Sequence, residues 1–172
     1  MILYVNGDSH TAGAEAVNPH AFAGDDGLLV WGDRSPHPDN LAVSWGRLLS
    51  DQLGYDFVCG AESARSNTRI LRTTREWLKE NQDQEKLVII QWSTWEREEW
   101  LHDGIYYQVT ASGTDMLPKE LQQQYKQWVI DQDYVYRQKK LLSWHDRICN
   151  FHLSLKERNI KHLFFNTYSN FS

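Results

Sequence analysis

An apolar run, Ile2-Leu3-Tyr4-Val5, opens almost at the first residue and stops at Asn6-Gly7-Asp8-Ser9. A short continuous apolar run closed by turn formers reads as a buried strand that ends in a tight turn. That turn presents Ser9. A helix starting there surrounds the serine oxygen with N–H groups that have no partner inside the helix, and such donors favour a nucleophile and the negative charge it creates. The same residues also fit a plain strand-to-helix turn, in which Asp8 and Ser9 only cap a helix.

Strands and helices alternate along the rest of the chain. Leu41, Trp45, Leu48, Leu49 and Leu53 recur at helical spacing, which predicts one helix over residues 41–54 with Gly54 as its stop. Residues 55–59 read as a second strand. Asn67–Glu80 is a helix with Ile70, Leu71, Thr74, Trp77 and Leu78 on one face. Lys86–Trp92 is a third strand, and Leu87-Val88-Ile89-Ile90 is apolar on both faces, as a central strand must be. Two more helices are predicted over Lys119–Ile130 and residues 134–158. In the second, Leu141, His145, Ile148, Cys149, His152 and Leu155 recur at helical intervals. Residues 160–166 form a fourth strand, on which His162 is expected to alternate outward.

Such an order with short links predicts one α/β domain over residues 1–172, with a parallel sheet covered on both faces. Two excursions break the rhythm. Residues 14–40 are rich in Gly, Pro, Asp and His, and are long for a strand-to-helix loop, which suggests a lid. Residues 95–116 include a candidate hairpin from Trp100 to Val109. Both follow C-terminal strand ends, the edge of an open α/β sheet where ligands bind.

Charge and composition narrow the function classes. The net charge is -5 and no basic patch stands out, which argues against a nucleic-acid partner. No apolar run reaches membrane-spanning length, and Met1 leads into a strand with no basic leader before it, so the expected compartment is the cytoplasm. The two cysteines, Cys59 and Cys149, sit in apolar contexts and read as buried free thiols. Neither they nor the seven histidines match a zinc motif, and no cofactor motif is present.

Gly7-Asp8-Ser9-x-Thr11-x-Gly13 resembles the first block of the SGNH, or GDSL-type, hydrolases. Ala61-Glu62-Ser63-Ala64-Arg65-Ser66-Asn67-Thr68-Arg69-Ile70, after the second strand, resembles the second block. Gln91-Trp92-Ser93-Thr94-Trp95-Glu96-Arg97-Glu98-Glu99-Trp100, after the third, is similar to the third block of small SGNH-like proteins of tailed phages. The resemblance implies a three-layer, flavodoxin-like fold with strand order 2-1-3-4. It implies a serine esterase without a cofactor, acting on a small-molecule ester or an acylated carbohydrate, with O-deacetylation among the candidate reactions. Ser9 would be the nucleophile and, through its backbone N–H, one oxyanion donor. Ala64 stands where the family has a glycine whose N–H is the second donor. Ser93 stands where the family has an asparagine side chain as the third. Asn67, Trp95 and Arg97 would lie at a substrate rim, although Asn67 also fits a helix cap. A phage source would extend the compartments to host cytoplasm or virion.

The chain departs from the family in one further respect. The family's base is a histidine with an aspartate three residues before it, beyond the last strand, and no Asp-x-x-His occurs here. A serine without a base is a poor nucleophile. The resemblance therefore implies a final strand and helix beyond Ser172, a base drawn from another histidine, or a catalytically inactive SGNH-fold module that binds a ligand or belongs to a virion. His10 neighbours the serine. His20 and His37 lie in the long insertion, where Asp33 could partner His37. Glu99-x-x-His102 mimics the carboxylate spacing, and His145 and His152 are expected to be partly buried.

Overall fold

The computed structural model of the chain describes residues 1–24, 34–111 and 117–167. Four strands form one parallel sheet in the order β2-β1-β3-β6, built from β1 (Ile2–Asn6), β2 (Asp56–Cys59), β3 (Lys86–Trp92) and β6 (Lys161–Asn166). Ile2 is opposite Asp56 on one side of β1 and Lys86 on the other, and Leu87 is opposite Lys161. β1 and β3 are central, as their two-sided apolar sequences predict. The strand expected as fourth occupies the expected place. It is sixth in chain order because β4 (Glu98–His102) and β5 (Ile105–Val109) form a separate antiparallel hairpin.

The sheet is covered on both faces. Leu3, Val5 and Ile89 point to one face, under Trp45 and Leu49 of α3 (Trp45–Leu53). Tyr4, Val88, Ile90 and Trp92 point to the other. There they meet Ile70, Leu71 and Leu78 of α4 (Asn67–Glu80) and Trp144, Phe151 and Leu155 of α6 (Tyr134–Glu157). The connection from β1 to β2 and the one from β2 to β3 step in opposite directions along the sheet. Crossovers of one hand then place their helices on opposite faces, as α3 and α4 are.

Three expectations need correction. The helix expected over residues 41–54 is two helices, α2 (Pro38–Ala42) and α3. Ser44 is extended at φ -65 and ψ 149, and its Oγ accepts the Arg47 N–H at 3.3 Å, so it starts a new helix where the apolar spacing runs on. Gly54 does end α3, in the left-handed region at φ 67. The inward stripe of α6 is Trp144, Ile148, Phe151 and Leu155; His145, Cys149 and His152 lie one position round and are exposed. Bulky Trp144 and Phe151 take the buried stripe, and Cys149 is not a buried thiol. His162 faces α6 rather than outward, with its Nε2 2.8 Å from His152 Nδ1.

A second small core accounts for two of the eight tryptophans. Tyr107 and Val109 of the hairpin pack with Leu117 and with Leu121 and Tyr125 of α5 (Lys119–Ile130), flanked by Trp100 and Trp128. Arg72 of α4 ties the hairpin to the main domain with two parallel bonds to Glu99, at 3.0 and 2.9 Å, and lies 3.9 Å over the Tyr106 ring. Lys140 and Tyr136 of α6 hold Glu98. Burial alone would push the Glu98 carboxyl up, but hydrogen bonds from Lys140 and Trp100 and the Lys140 charge outweigh it and hold it below its ordinary range.

Candidate active site

Ser9 is the first residue of α1 (Ser9–Ala12), directly beyond the C-terminal end of β1. Asp8 caps this short helix by accepting the His10 N–H at 3.1 Å. Asn6 fixes the end of the strand: its Oδ1 accepts the Gly7 N–H at 2.8 Å, and its Nδ2 lies within 3.1 Å of the Tyr4 hydroxyl, the Ile70 carbonyl and Thr74 Oγ1. Gly7 must be glycine, because a Cβ there would stand 2.5 Å from Thr11 Oγ1 and 3.0 Å from Gln91 Cβ. The absence of a side chain lets the turn fold tightly against β3.

The end of β3 comes to this turn. Fully buried Asp8 accepts Gln91 Nε2 at 2.9 Å on Oδ1 and the Ser93 hydroxyl at 2.8 Å on Oδ2. Arg97 Nη1 is 3.5 Å from Asp8 Oδ2 and donates to Ser93 Oγ at 3.1 Å. The segment after β2 arrives from the other side, where the Gly60 N–H donates to the Val5 carbonyl at 2.8 Å and the Glu62 N–H to the Gly7 carbonyl at 3.3 Å. The three segments expected to converge therefore do so, at the C-terminal edge of the sheet. β1 lies between neighbours reached in opposite directions, which makes this edge a topological switch point.

The individual site residues behave differently. The Ser9 hydroxyl is half-buried and has no hydrogen-bond partner among the described residues. Ala64 is at φ 62, in the left-handed region that favours glycine. Ser93 cannot serve as the third oxyanion donor in this arrangement. Its single proton goes to Asp8 and its oxygen accepts from Arg97. Asn67 is neither a helix cap nor a rim residue. Ser66 caps α4, while buried Asn67 accepts the Ser93 N–H at 2.7 Å and donates to the Ser93 carbonyl at 2.9 Å. Trp95 packs against the main core, and the Arg97 guanidinium turns inward to Asp8, Ser93 and the Arg65 carbonyl.

Buried Glu62 lies between Arg65 and Arg69, with Arg69 Nη2 2.6 Å from its Oε2, and Arg69 also donates to the Gly60 carbonyl at 2.8 Å. This group locks the loop that carries Ala64. Sequence reasoning missed the roles of Gln91 and Glu62. Gln91 had one signal, as the polar residue that interrupts an otherwise apolar strand end. Glu62 had another, the spacing Glu62-x-x-Arg65-x-x-x-Arg69 around a helix start.

The histidines sort by partner. His10 Nδ1 is 3.4 Å from Asp8 Oδ1. His37 caps α2, and its carboxylate neighbour is Asp39 at 3.7 Å; Asp33 lies outside the described residues, as does residues 25–33 of the expected lid. Glu99 is held by Arg72, so it does not partner His102, which lies 3.5 Å from Asp103. The His20 carbonyl accepts Asn40 Nδ2 at 2.9 Å. His145 meets Cys149 on α6. Burial pushes the Cys59 thiol up to about 11 and the Tyr4 phenol up to about 12, so neither is an acid–base group near neutrality. Among the described residues no group of three or more His, Cys, Asp and Glu could hold a metal ion, and no helix is long and apolar enough to cross a membrane.

No curated protein and no solved structure matches the chain. One family model does, over residues 33–161, a span that includes Ala64, Asn67, Ser93 and Arg97 and leaves Ser9 outside it. With most of its length inside that match, the chain belongs to a family of unknown function, DUF6071.

Proposed function

We propose that the chain is an SGNH-type serine esterase of low activity, with Ser9 as its nucleophile. The observation that carries this reading is the uncommitted Ser9 hydroxyl at a helix start, on the switch-point edge of a parallel sheet. Two further features support it. Neither the Ser9 nor the Ala64 backbone N–H is engaged within the described residues, and Ala64 holds the backbone conformation that suits the family's glycine. These two N–H groups would stabilise the oxyanion.

Among the histidines His10 is the candidate base, with Asp8 Oδ1 3.4 Å from its Nδ1; it makes no hydrogen bond to the Ser9 hydroxyl in this arrangement, so its ring must turn to Ser9 when substrate binds. In acylation, Ser9 Oγ bonds to the ester carbonyl carbon while its proton passes to the imidazole. The C–O bond to the leaving alcohol then breaks, and the alcohol takes that proton. Water next attacks the acyl carbon, gives a proton to the imidazole, and Ser9 recovers one as the acid leaves. The engaged Ser93 hydroxyl removes one oxyanion donor, which raises the barrier by on the order of 3 kcal/mol.

That same engagement favours a second reading, a catalytically silent module that binds an ester or acylated carbohydrate without cleaving it. Turnover of p-nitrophenyl acetate by the chain and by Ser9→Ala separates the two. Slow turnover that Ser9→Ala removes supports the esterase. Equal rates in the two proteins leave the silent module.

A further inference from the structure

Far from Ser9, the C-terminal halves of α4 and α6 enclose a cleft of about 470 Å³ lined by Arg75, Lys79, Gln82, Phe151, Ser154 and Arg158. Both helices end there on their way to β3 and β6, so the cleft flanks the N-terminal edge of the sheet, and Ser9 stands at the other edge. Three of its six lining residues are cations and none is a carboxylate. Among the described residues no carboxylate pairs with Arg75, Lys79 or Arg158, while the nearby Glu76 is taken by Arg72 at 3.1 Å.

We propose that this cleft binds a small phosphorylated molecule through its phosphate. Three cations lining one cleft match an anion of charge two or more better than a single carboxylate. The forked N–H donors of two arginines also fit phosphate oxygens in pairs. The cleft is larger than a bare phosphate needs and within the usual range for small-molecule sites. Its donors are partly held in place: the Arg75 guanidinium lies 5.5 Å over the ring of Phe151, which forms the floor. The Ser154 hydroxyl gives its proton to the Phe151 carbonyl, so the cations and Gln82 supply the donors.

A helix C-terminus repels anions, and two of them end here. Lys86 answers part of that. Its ammonium bonds the Asn81 carbonyl and, at 3.1 Å, the Gln82 carbonyl beyond the end of α4, which leaves Lys79 uncommitted. Burial, then the charge of Arg158, lowers the Lys86 ammonium below its ordinary value, against a smaller opposing effect of Asp83. Of the three cleft cations, Arg158 thus lies close enough to act on the base of β3.

The test is calorimetric titration at low ionic strength with pyrophosphate and, separately, with glucose 6-phosphate. One saturable site is expected, weakened about tenfold or more by Arg75→Gln and by Arg158→Gln, and little changed by Lys161→Gln, an exposed cation outside the cleft. Binding of both probes points to the phosphate alone, and tighter binding of the sugar phosphate adds a role for the rest of the cleft. All three side chains are exposed or at the rim, so circular dichroism should find every variant folded. The proposal fails if neither probe saturates, if the cleft variants bind as the parent does, or if Lys161→Gln weakens binding equally, which would mark diffuse surface attraction. None of these outcomes depends on Ser9.

Discussion

Replacing Asn67 by alanine tests whether this residue meets a ligand or holds the fold. Its side chain is fully buried and makes two hydrogen bonds to one residue, accepting the Ser93 N–H at 2.7 Å and donating to the Ser93 carbonyl at 2.9 Å. Alanine leaves both backbone groups buried without their partner. Each such group costs about 1–3 kcal/mol, and partial relaxation keeps the sum near 3 kcal/mol. Domains of this size have about 5–15 kcal/mol in hand, so Asn67→Ala should fold but melt roughly 6–12 °C lower. Asn67→Asp is the sharper variant. One oxygen can still accept the Ser93 N–H, but the other faces the Ser93 carbonyl, acceptor against acceptor, so it should lose at least as much near neutral pH. Urea unfolding followed by tryptophan fluorescence measures both. A loss under about 0.5 kcal/mol in Asn67→Ala, the size of an ordinary surface change, would mean that Asn67 does not hold Ser93 and would return it to the rim.

Other consequences follow from partners and burial. A thiol reagent at about pH 8 should label exposed Cys149 in the native chain and reach Cys59 only on unfolding; mass spectrometry showing two native labels would contradict this. Burial raises Cys59 from 9.0 to about 11 and Tyr4 from 10.0 to about 12, so the fold favours their protonated forms. Stability from these groups is fully present below the ordinary values and is lost as pH rises through those two windows, which urea midpoints against pH will show. Glu98 has the opposite sign. Its lowered value means stability that is present above 4.5 and lost as pH falls through the folded value, and Glu98→Gln should flatten that acid limb. Arg72→Ala removes the paired bonds to Glu99, so hydrogen-exchange protection should fall at Tyr107 and Val109 and stay unchanged in β1 and β3.

Much of the fold was legible because local patterns decide it. The runs Ile2–Val5 and Leu87–Ile90 are apolar on both faces, and only the middle of a covered sheet accepts that. Asn67–Glu80 carries one unambiguous stripe. The face of α6 was not legible, since two stripes one residue apart are both plausible and only burial in the core, where Phe151 stacks on Phe164 and meets Trp92 edge-on, selects Trp144 and Phe151 over His145 and His152. The break at Ser44 was hidden by apolar spacing that continues through it. In the candidate site, the turn that presents Ser9 was legible because it is local. The state of Ser93 did not, because its proton goes to Asp8, 85 positions away, and no short motif encodes that pairing. Asn67 was ambiguous for the same reason, with its partner 26 positions on.

If Ser9 is a nucleophile and not only a polar turn residue, its hydroxyl must react as one. A fluorophosphonate probe bonds covalently to a serine only when that serine is activated. Incubating the folded chain with the probe and mapping the modified peptide by mass spectrometry tests the claim at the atom concerned. Slow labelling is expected on the peptide that contains Ser9, abolished by Ser9→Ala and slowed by His10→Ala. No labelling of the folded chain, or labelling at another residue that survives Ser9→Ala, would contradict it.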